Sequence, residues 1–340
     1  MDQSDAFAVE GVYLDTASIG VPPRVTIDAL HAELDRWARG AARPADFDSY
    51  VQRARNAYAA LVGVPASWVA CGPQVSVFAG VVATDIPREG VVLVPEGEFT
   101  SVTFPLLAQG HRVREVPLAE LADAIDSNTG MVAFAAVQSA NGAPADVDAI
   151  AAAAERYGCR TFVDVTQAAG WLPIDGSRFD YTVCSAYKWL LSPRGTAFLT
   201  VREERLAGLT PLTANWYAGD NPWTSIYGLP LRLADDARRF DVSPAWHSWV
   251  GTAHSLEYLA ALDPAERWSH STGLAAEFRL RTGLQAADSA IVSLAVTSDA
   301  AQRLSAAGIA GSTRAGRLRL AFYLYNSLAD VEAAVAAVEG

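Results

Sequence analysis

Residues 161–189 read TFVDVTQAAGWLPIDGSRFDYTVCSAYKW, and the reading of this stretch decides the fold. Two short runs, 161–163 and 181–185, are strand-length and followed by polar residues: Asp164 closes the first, and Lys188 lies just past the second. Runs with apolar residues on both faces mark strands covered on both sides rather than half-solvated ones. The pattern repeats outward. Upstream, the spacing predicts a helix over 24–39, with Ile27, Leu30, Leu34 and Trp37 on one face, and a second over 50–62 closed by Gly63. Strands are expected at 68–71, 91–94, 112–116 and 131–137. Helices are expected at 75–83, up to Gly110, at 118–125 and at 146–157. Downstream, 196–201 is a further strand. Strands alternating with helices imply an α/β fold with a mostly parallel central sheet and helices on both faces. After residue 225 the texture changes. Leu318, Leu320, Phe322 and Leu324 alternate with Arg317, Arg319, Tyr323 and Tyr325, which predicts an antiparallel strand with one buried face. A last helix begins at Ser327, so the C-terminal part reads as a smaller α+β domain.

Composition narrows the function classes. The chain has 340 residues, 51% hydrophobic and 19% charged, which excludes disorder and assures a sizeable core. Acidic residues outnumber basic ones by 38 to 26, for a net charge of −12, the wrong sign for a nucleic-acid binder. Cys71, Cys159 and Cys184 form no CxxC, which suits a reducing compartment and excludes a disulfide scaffold. The opening residues carry no basic patch followed by an apolar run, and no apolar stretch is long enough to span a bilayer. A cytoplasmic protein with no membrane or nucleic-acid partner is the expectation.

Most cofactor fingerprints are absent: no GxGxxG after a strand, no P-loop, no GxSxG elbow and no HExxH. The five histidines do not cluster with cysteine or carboxylate, and no metal site is expected. Asp164 and Lys188 stand out. Ligands of open α/β sheets gather beyond the carboxyl ends of strands, so both side chains are placed for one crevice. An amine and a carboxylate there suit pyridoxal 5′-phosphate, the amine forming a Schiff base and the carboxylate pairing with the ring nitrogen. A structural ion pair at a loop would look the same from these two residues alone. Gln167 follows within reach of a phenolic oxygen, and Ser185 and Tyr187 offer hydroxyls to a phosphate. CGPQVS at 71–76 sits between strand and helix, where free N–H groups favour an anion, with Gln74 and Ser76 as side-chain donors. Phe99 follows a strand and is placed to stack on a flat ring, or to serve as an ordinary core aromatic.

Taken in order, these segments resemble the class V aminotransferase superfamily of fold type I enzymes, which includes cysteine desulfurases, kynureninase and isopenicillin N epimerase-like proteins. The resemblance runs from VYLDTASIGVPP (12–23) through CGPQVS, EGEFTS (96–101), VQSANGAPADVDAIAAAAERYG (137–158), FVDVTQAAG (162–170), SAYKWL (185–190) and RFDVSPAW (239–246) to RLRLAFYLYNSLADVEAAV (317–335). It implies an N-terminal segment over 1–20 packing with the small domain, a large cofactor domain over 21–225 and a small domain over 226–340. It implies Lys188 as the Schiff-base lysine, Asp164 as the pyridinium partner, Gln167 as the phenolate contact and Phe99 as the stacking ring. Gln74, Ser185 and Tyr187 would hold the phosphate, with Ser243 reaching it from the partner of a homodimer with composite sites. Arg314 would clamp the substrate carboxylate, with Ser18 and Ser139 beside it. Arg319 is the fallback, or an exposed strand residue.

Departures from the family pattern bear on the reaction. Phe99 and Tyr187 replace histidines of the desulfurases, Thr16 replaces an asparagine, and Pro73-Gln74 stands where Ala-Thr is common. A desulfurase also needs a mobile cysteine beside the substrate, and AAGIAGSTRAGRL (306–318) has none. The expected chemistry at the α-carbon of an amino acid is therefore ordered: β-elimination from an S-substituted cysteine, then amino transfer, then epimerisation. A non-catalytic binding protein on the same fold is the competing class, one expected to have lost Lys188 or Asp164. The aromatic loop LTANWYAGDNPWTSIYG (212–228) reads equally as a pocket lining or an interface.

Overall fold

Residues along the central strands divide by parity between two cores, which is what a doubly covered sheet requires. Phe162, Tyr181 and Val183 pack with Val92, Met131 and Leu199 on one face. Phe134, Val163 and Cys184 pack with Tyr58, Trp171 and Trp249 on the other. The computed structural model describes residues 3–87, 89–295 and 297–339.

The N-terminal part runs β1 (Val12–Tyr13), α1 (Arg24–Ala38), α2 (Asp48–Leu61), β2 (Val69–Gly72), α3 (Val75–Val82), β3 (Val91–Pro95), α4 (Thr100–Ala108) and β4 (Arg112–Val116). It continues with β5 (Thr129–Ala135), α5 (Val147–Tyr157), β6 (Arg160–Asp164), β7 (Tyr181–Ser185) and β8 (Ala197–Val201). The seven-stranded sheet has the order β2-β8-β7-β6-β5-β3-β4. Neighbours from β7 to β4 pair in parallel, whereas β8 is antiparallel to both β7 and β2. Reversal of β8 lets β2 point the same way as β7, so the carboxyl ends of β2, β3, β5, β6 and β7 share one edge.

The rest comprises α6 (Trp246–Ala260), α7 (Pro264–Arg281), β9 (Ile291–Leu294), α8 (Ser298–Ala306), β10 (Ile309–Ala310), β11 (Ser312–Arg314), β12 (Arg317–Ala321) and α9 (Leu328–Glu339). β11, β12 and β9 form an antiparallel sheet, and its core joins Val292, Leu320 and Phe322 to Phe278 and Val331. β1 pairs in parallel with β10, and Leu14 enters the same core, which carries the N-terminal segment onto this sheet.

Three expectations are corrected. Residues 118–125 form a short 3-10 turn at Leu118–Glu120 rather than a helix, because Leu121 and Ile125 are buried by a chain that keeps turning. The strand read as one-faced is buried on both: Arg319 is 1% exposed, and Tyr323 and Tyr325 are buried too, since the N-terminal segment covers their side. The apolar face of α1 points outward instead of into the core, with Trp37 62% exposed, while Thr26 and Glu33 are buried.

Candidate active site

The shared edge of the sheet opens into a cavity of about 240 Å³. Each strand end contributes to its lining. Gln74 comes from the turn after β2, Phe99 from that after β3, Ser139 from that after β5, and Asp164, Thr166 and Gln167 from the end of β6. Ser185, Tyr187 and Lys188 follow β7, and Arg194 and Gly195 precede β8. Residues scattered over the chain thus converge because parallel strands put their carboxyl ends together.

Lys188 is 6% exposed, with Nζ 5.4 Å from the Phe99 ring centroid and 5.7 Å from that of Tyr187. Burial disfavours its charged form and brings its pKa down to about 8, with Asp164 opposing and Arg319 assisting. The composition holds a signal that the motifs alone do not use: of the 26 basic residues, Lys188 is the only lysine. The loop carrying it is fixed from behind. Gly20 N–H donates to the Tyr187 carbonyl at 2.9 Å, and a Cβ on Gly20 would lie 2.0 Å from the Lys188 carbonyl oxygen. Only glycine fits there.

Asp164 is 5% exposed, and burial raises its pKa, an effect opposed by Thr166 and then by Lys188. The Thr166 N–H donates to Asp164 Oδ1 at 2.8 Å, while the Thr166 hydroxyl oxygen accepts from the Ser185 N–H at 2.9 Å. Thr166 therefore ties β6 to β7 at the site, a role invisible in sequence because it depends on which strands are neighbours. Gln167 Oε1 accepts from the Trp189 indole at 2.8 Å, which sets the amide's orientation, and its Nε2 donates to the Ala17 carbonyl and Ser139 Oγ.

Behind Phe99, the buried Glu98 carboxylate accepts from the N–H groups of Phe99 and Ala135, both at 2.7 Å, and from Gln138 Nε2 at 3.0 Å. Burial raises its pKa. These bonds anchor the start of α4 to the end of β5, leaving the Phe99 ring half-exposed over the cavity. Gln74 is the N-cap of α3 and its side chain caps nothing, so the first N–H groups of this helix face the cavity mouth without side-chain partners. Arg194 lies 5.1 Å from the Tyr187 ring centroid and adds a positive charge there. Ser76 does not line the cavity, and neither does Ser243, which is exposed in this chain.

The two arginines are placed differently. Arg319 is buried, donating through Nη1 to the Ser139 carbonyl at 2.7 Å and through Nη2 to Ser18 Oγ at 2.8 Å. Arg314 is exposed on β11 and reaches the same Ser18 Oγ at 3.0 Å.

A family model described as aminotransferase class V matches residues 12–313. The chain belongs to the class V aminotransferase family. An isopenicillin N epimerase of Streptomyces clavuligerus is 29% identical over 287 residues, 74% of this chain and 70% of its own. An uncharacterized aminotransferase, YcbU, of Bacillus subtilis (strain 168) is 29% identical over 250 residues, 69% of this chain and 66% of its own. The chain thus spans about two thirds of the length of these relatives. Among solved structures, the cystine C-S lyase C-DES superposes with a TM-score of 0.86 at 19% identity, covering 97% of each chain, and it shares the fold. Class V aminotransferases are pyridoxal-phosphate enzymes, and the cofactor of this chain is pyridoxal 5′-phosphate. The donor set fits it: one amine of lowered basicity, one buried carboxylate at a strand end, an aromatic face, two hydroxyls and a helix N-terminus.

Proposed function

We propose that the chain is a carbon–sulfur lyase that removes the α-proton of an S-substituted cysteine-like amino acid and expels the β-thiolate. In this reading Lys188 holds the cofactor and Asp164 pairs with its ring nitrogen, while Gln167 meets the phenolic oxygen and Phe99 covers the ring. Gln74, Ser185 and Tyr187 hold the phosphate with the N-terminus of α3, and Ser243 of a second copy joins them. The α-carboxylate goes to Arg319, with Ser18 and Ser139, rather than to Arg314, because Arg319 is the buried guanidinium joined to the cavity through Ser139 and Gln167. Bound pyridoxal phosphate supplies an electron sink for the pair left by the α-proton.

The observation that carries the reading is Lys188 itself. It is the chain's one lysine, it lines the cavity, and its amine loses its proton at about 8. An arginine can neither bond the cofactor aldehyde nor act as base near neutrality. A single base suffices for elimination, because a thiolate leaves without a protein acid. Epimerisation asks for a second base on the opposite face, and the remaining ionisable lining groups are Asp164, Tyr187 and Arg194. Persulfide transfer is disfavoured, since all three cysteines are buried and burial pushes their pKa values up, that of Cys159 to about 12.

Amino transfer is the second reading, because the same amine serves it. Incubation with S-substituted cysteines and no keto acid separates the two. Thiol and ammonia in equal amounts support the lyase; turnover only with an added keto-acid acceptor makes the chain an aminotransferase. The proposal includes a homodimer in the cytoplasm; among the described residues no helix is long and apolar enough to cross a membrane.

A further inference from the structure

Two guanidiniums share one serine beside the cavity. Arg319 Nη2 and Arg314 Nη2 both donate to Ser18 Oγ, at 2.8 and 3.0 Å. Like charges this close repel, and an anion bound between or beside them relieves the repulsion. Asp15 Oδ1, buried and without a hydrogen-bond partner, forms a long ion pair of 3.7 Å with Arg319 Nη2 and offsets part of that charge. Arg314 makes no ion pair among the described residues; its Nη1 donates to the Thr313 carbonyl. Burial and then Arg314 pull the Arg319 pKa down to about 10 against the opposing pull of Asp15, and both arginines also lower that of Lys188.

One α-carboxylate does not use up this charge. Arg319 keeps a buried Nε without any partner, and a planar guanidinium grips a carboxylate through paired N–H groups by itself. Arg314 then remains as a second cation on the solvent side of Ser18. It ends β11, just before the two-residue hairpin loop of Ala315 and Gly316, both with positive φ, that leads to β12. We infer that Arg314 reads a second anionic group at the end of the substrate side chain, so that the site favours α-amino acids with an acidic side chain over neutral ones of the same size. S-Carboxyalkyl cysteines belong to this class. The inference rests on the proposed seating of the α-carboxylate at Arg319.

Its test reads binding, not turnover. The probes are the α-methyl derivatives of S-carboxymethylcysteine and of its neutral isostere, S-carbamoylmethylcysteine. Neither has an α-proton to lose, so neither elimination nor transfer consumes it. Titrated into holoenzyme, the carboxylate should bind about tenfold more tightly than the amide, the lower range for a charge-assisted contact at an exposed arginine. Arg314→Gln should bring this ratio close to one; the residue is exposed, so the fold tolerates the change. A parent protein without the preference overturns the inference, as it would if both arginines held the one α-carboxylate, and so does a preference that survives Arg314→Gln. Arg319→Gln separates the underlying reading: it should weaken both probes alike. If it weakens neither, the seating of the α-carboxylate fails and takes the inference with it.

Discussion

At the scale of single residues, the site holds charges where the protein's own interior disfavours them. Lys188 loses its proton at about 8 in the fold against an ordinary 10.5, because it is buried. The native apoprotein therefore binds fewer protons than the unfolded chain between these values, and its stability rises with pH across that window. Below about 8 the charged amine exerts its full penalty, about 3 kcal/mol. Lys188→Met should accordingly stabilise the cofactor-free protein at pH 7, and its advantage should shrink by pH 9.5; thermal melts at the two pH values check this. Asp164→Ala should leave cofactor bound while cutting turnover by orders of magnitude, as read from the cofactor absorbance beside the rate. Lys188 and Asp164 were legible in the sequence because they lie at or just past the ends of strands whose apolar runs are unmistakable. Arg319 was not, since alternation along 317–325 resembles a solvent-facing strand. Its burial comes from Ser18 and Ser139, some three hundred and one hundred and eighty residues away.

At the scale of elements, the turn between β2 and α3 has a support that no local motif announces. Asp241 accepts from the Cys71 N–H at 2.7 Å and pairs with Arg55 at 2.7 Å, and both side chains are buried. Arg55 also donates to the Val69 carbonyl, so α2, β2 and the segment leading to Ser243 are locked together. Asp241→Asn should destabilise the protein by roughly 3–5 kcal/mol, the cost of unpairing a buried charge. It should also weaken cofactor binding, because Gly72–Gln74 loses its anchor; melts with and without cofactor separate the two effects. Helix ends marked by glycine were readable: Gly63 and Gly110 adopt the positive φ that their positions suggested. Residues 118–125 were not, because a short apolar spacing fits a turn with two buried leucine-sized anchors as well as a helix. The antiparallel direction of β8 was equally hidden, as a strand's direction leaves no mark on its composition.

At the scale of the whole molecule, one chain leaves much apolar surface outside. Ile27, Leu34 and Trp37 on α1, Phe104 and Leu107 on α4, and Tyr227, Leu229 and Leu231 are exposed. Clusters of this kind mark interaction surfaces, and the proposed homodimer would bury such surface and bring Ser243 of one copy toward the cavity of the other. Sedimentation of the holoenzyme should show a stable dimer; an active monomer would refute the composite site. Attachment of pyridoxal phosphate to Lys188 can be tested sharply because the chain has no other lysine. Purified holoenzyme is reduced with borohydride, digested, and the peptides are mapped by mass. The visible absorbance should disappear, and the cofactor mass should be fixed on Lys188 alone. A protein that takes up no cofactor, or one whose label sits on the terminal amine while Lys188 stays unmodified, would contradict it.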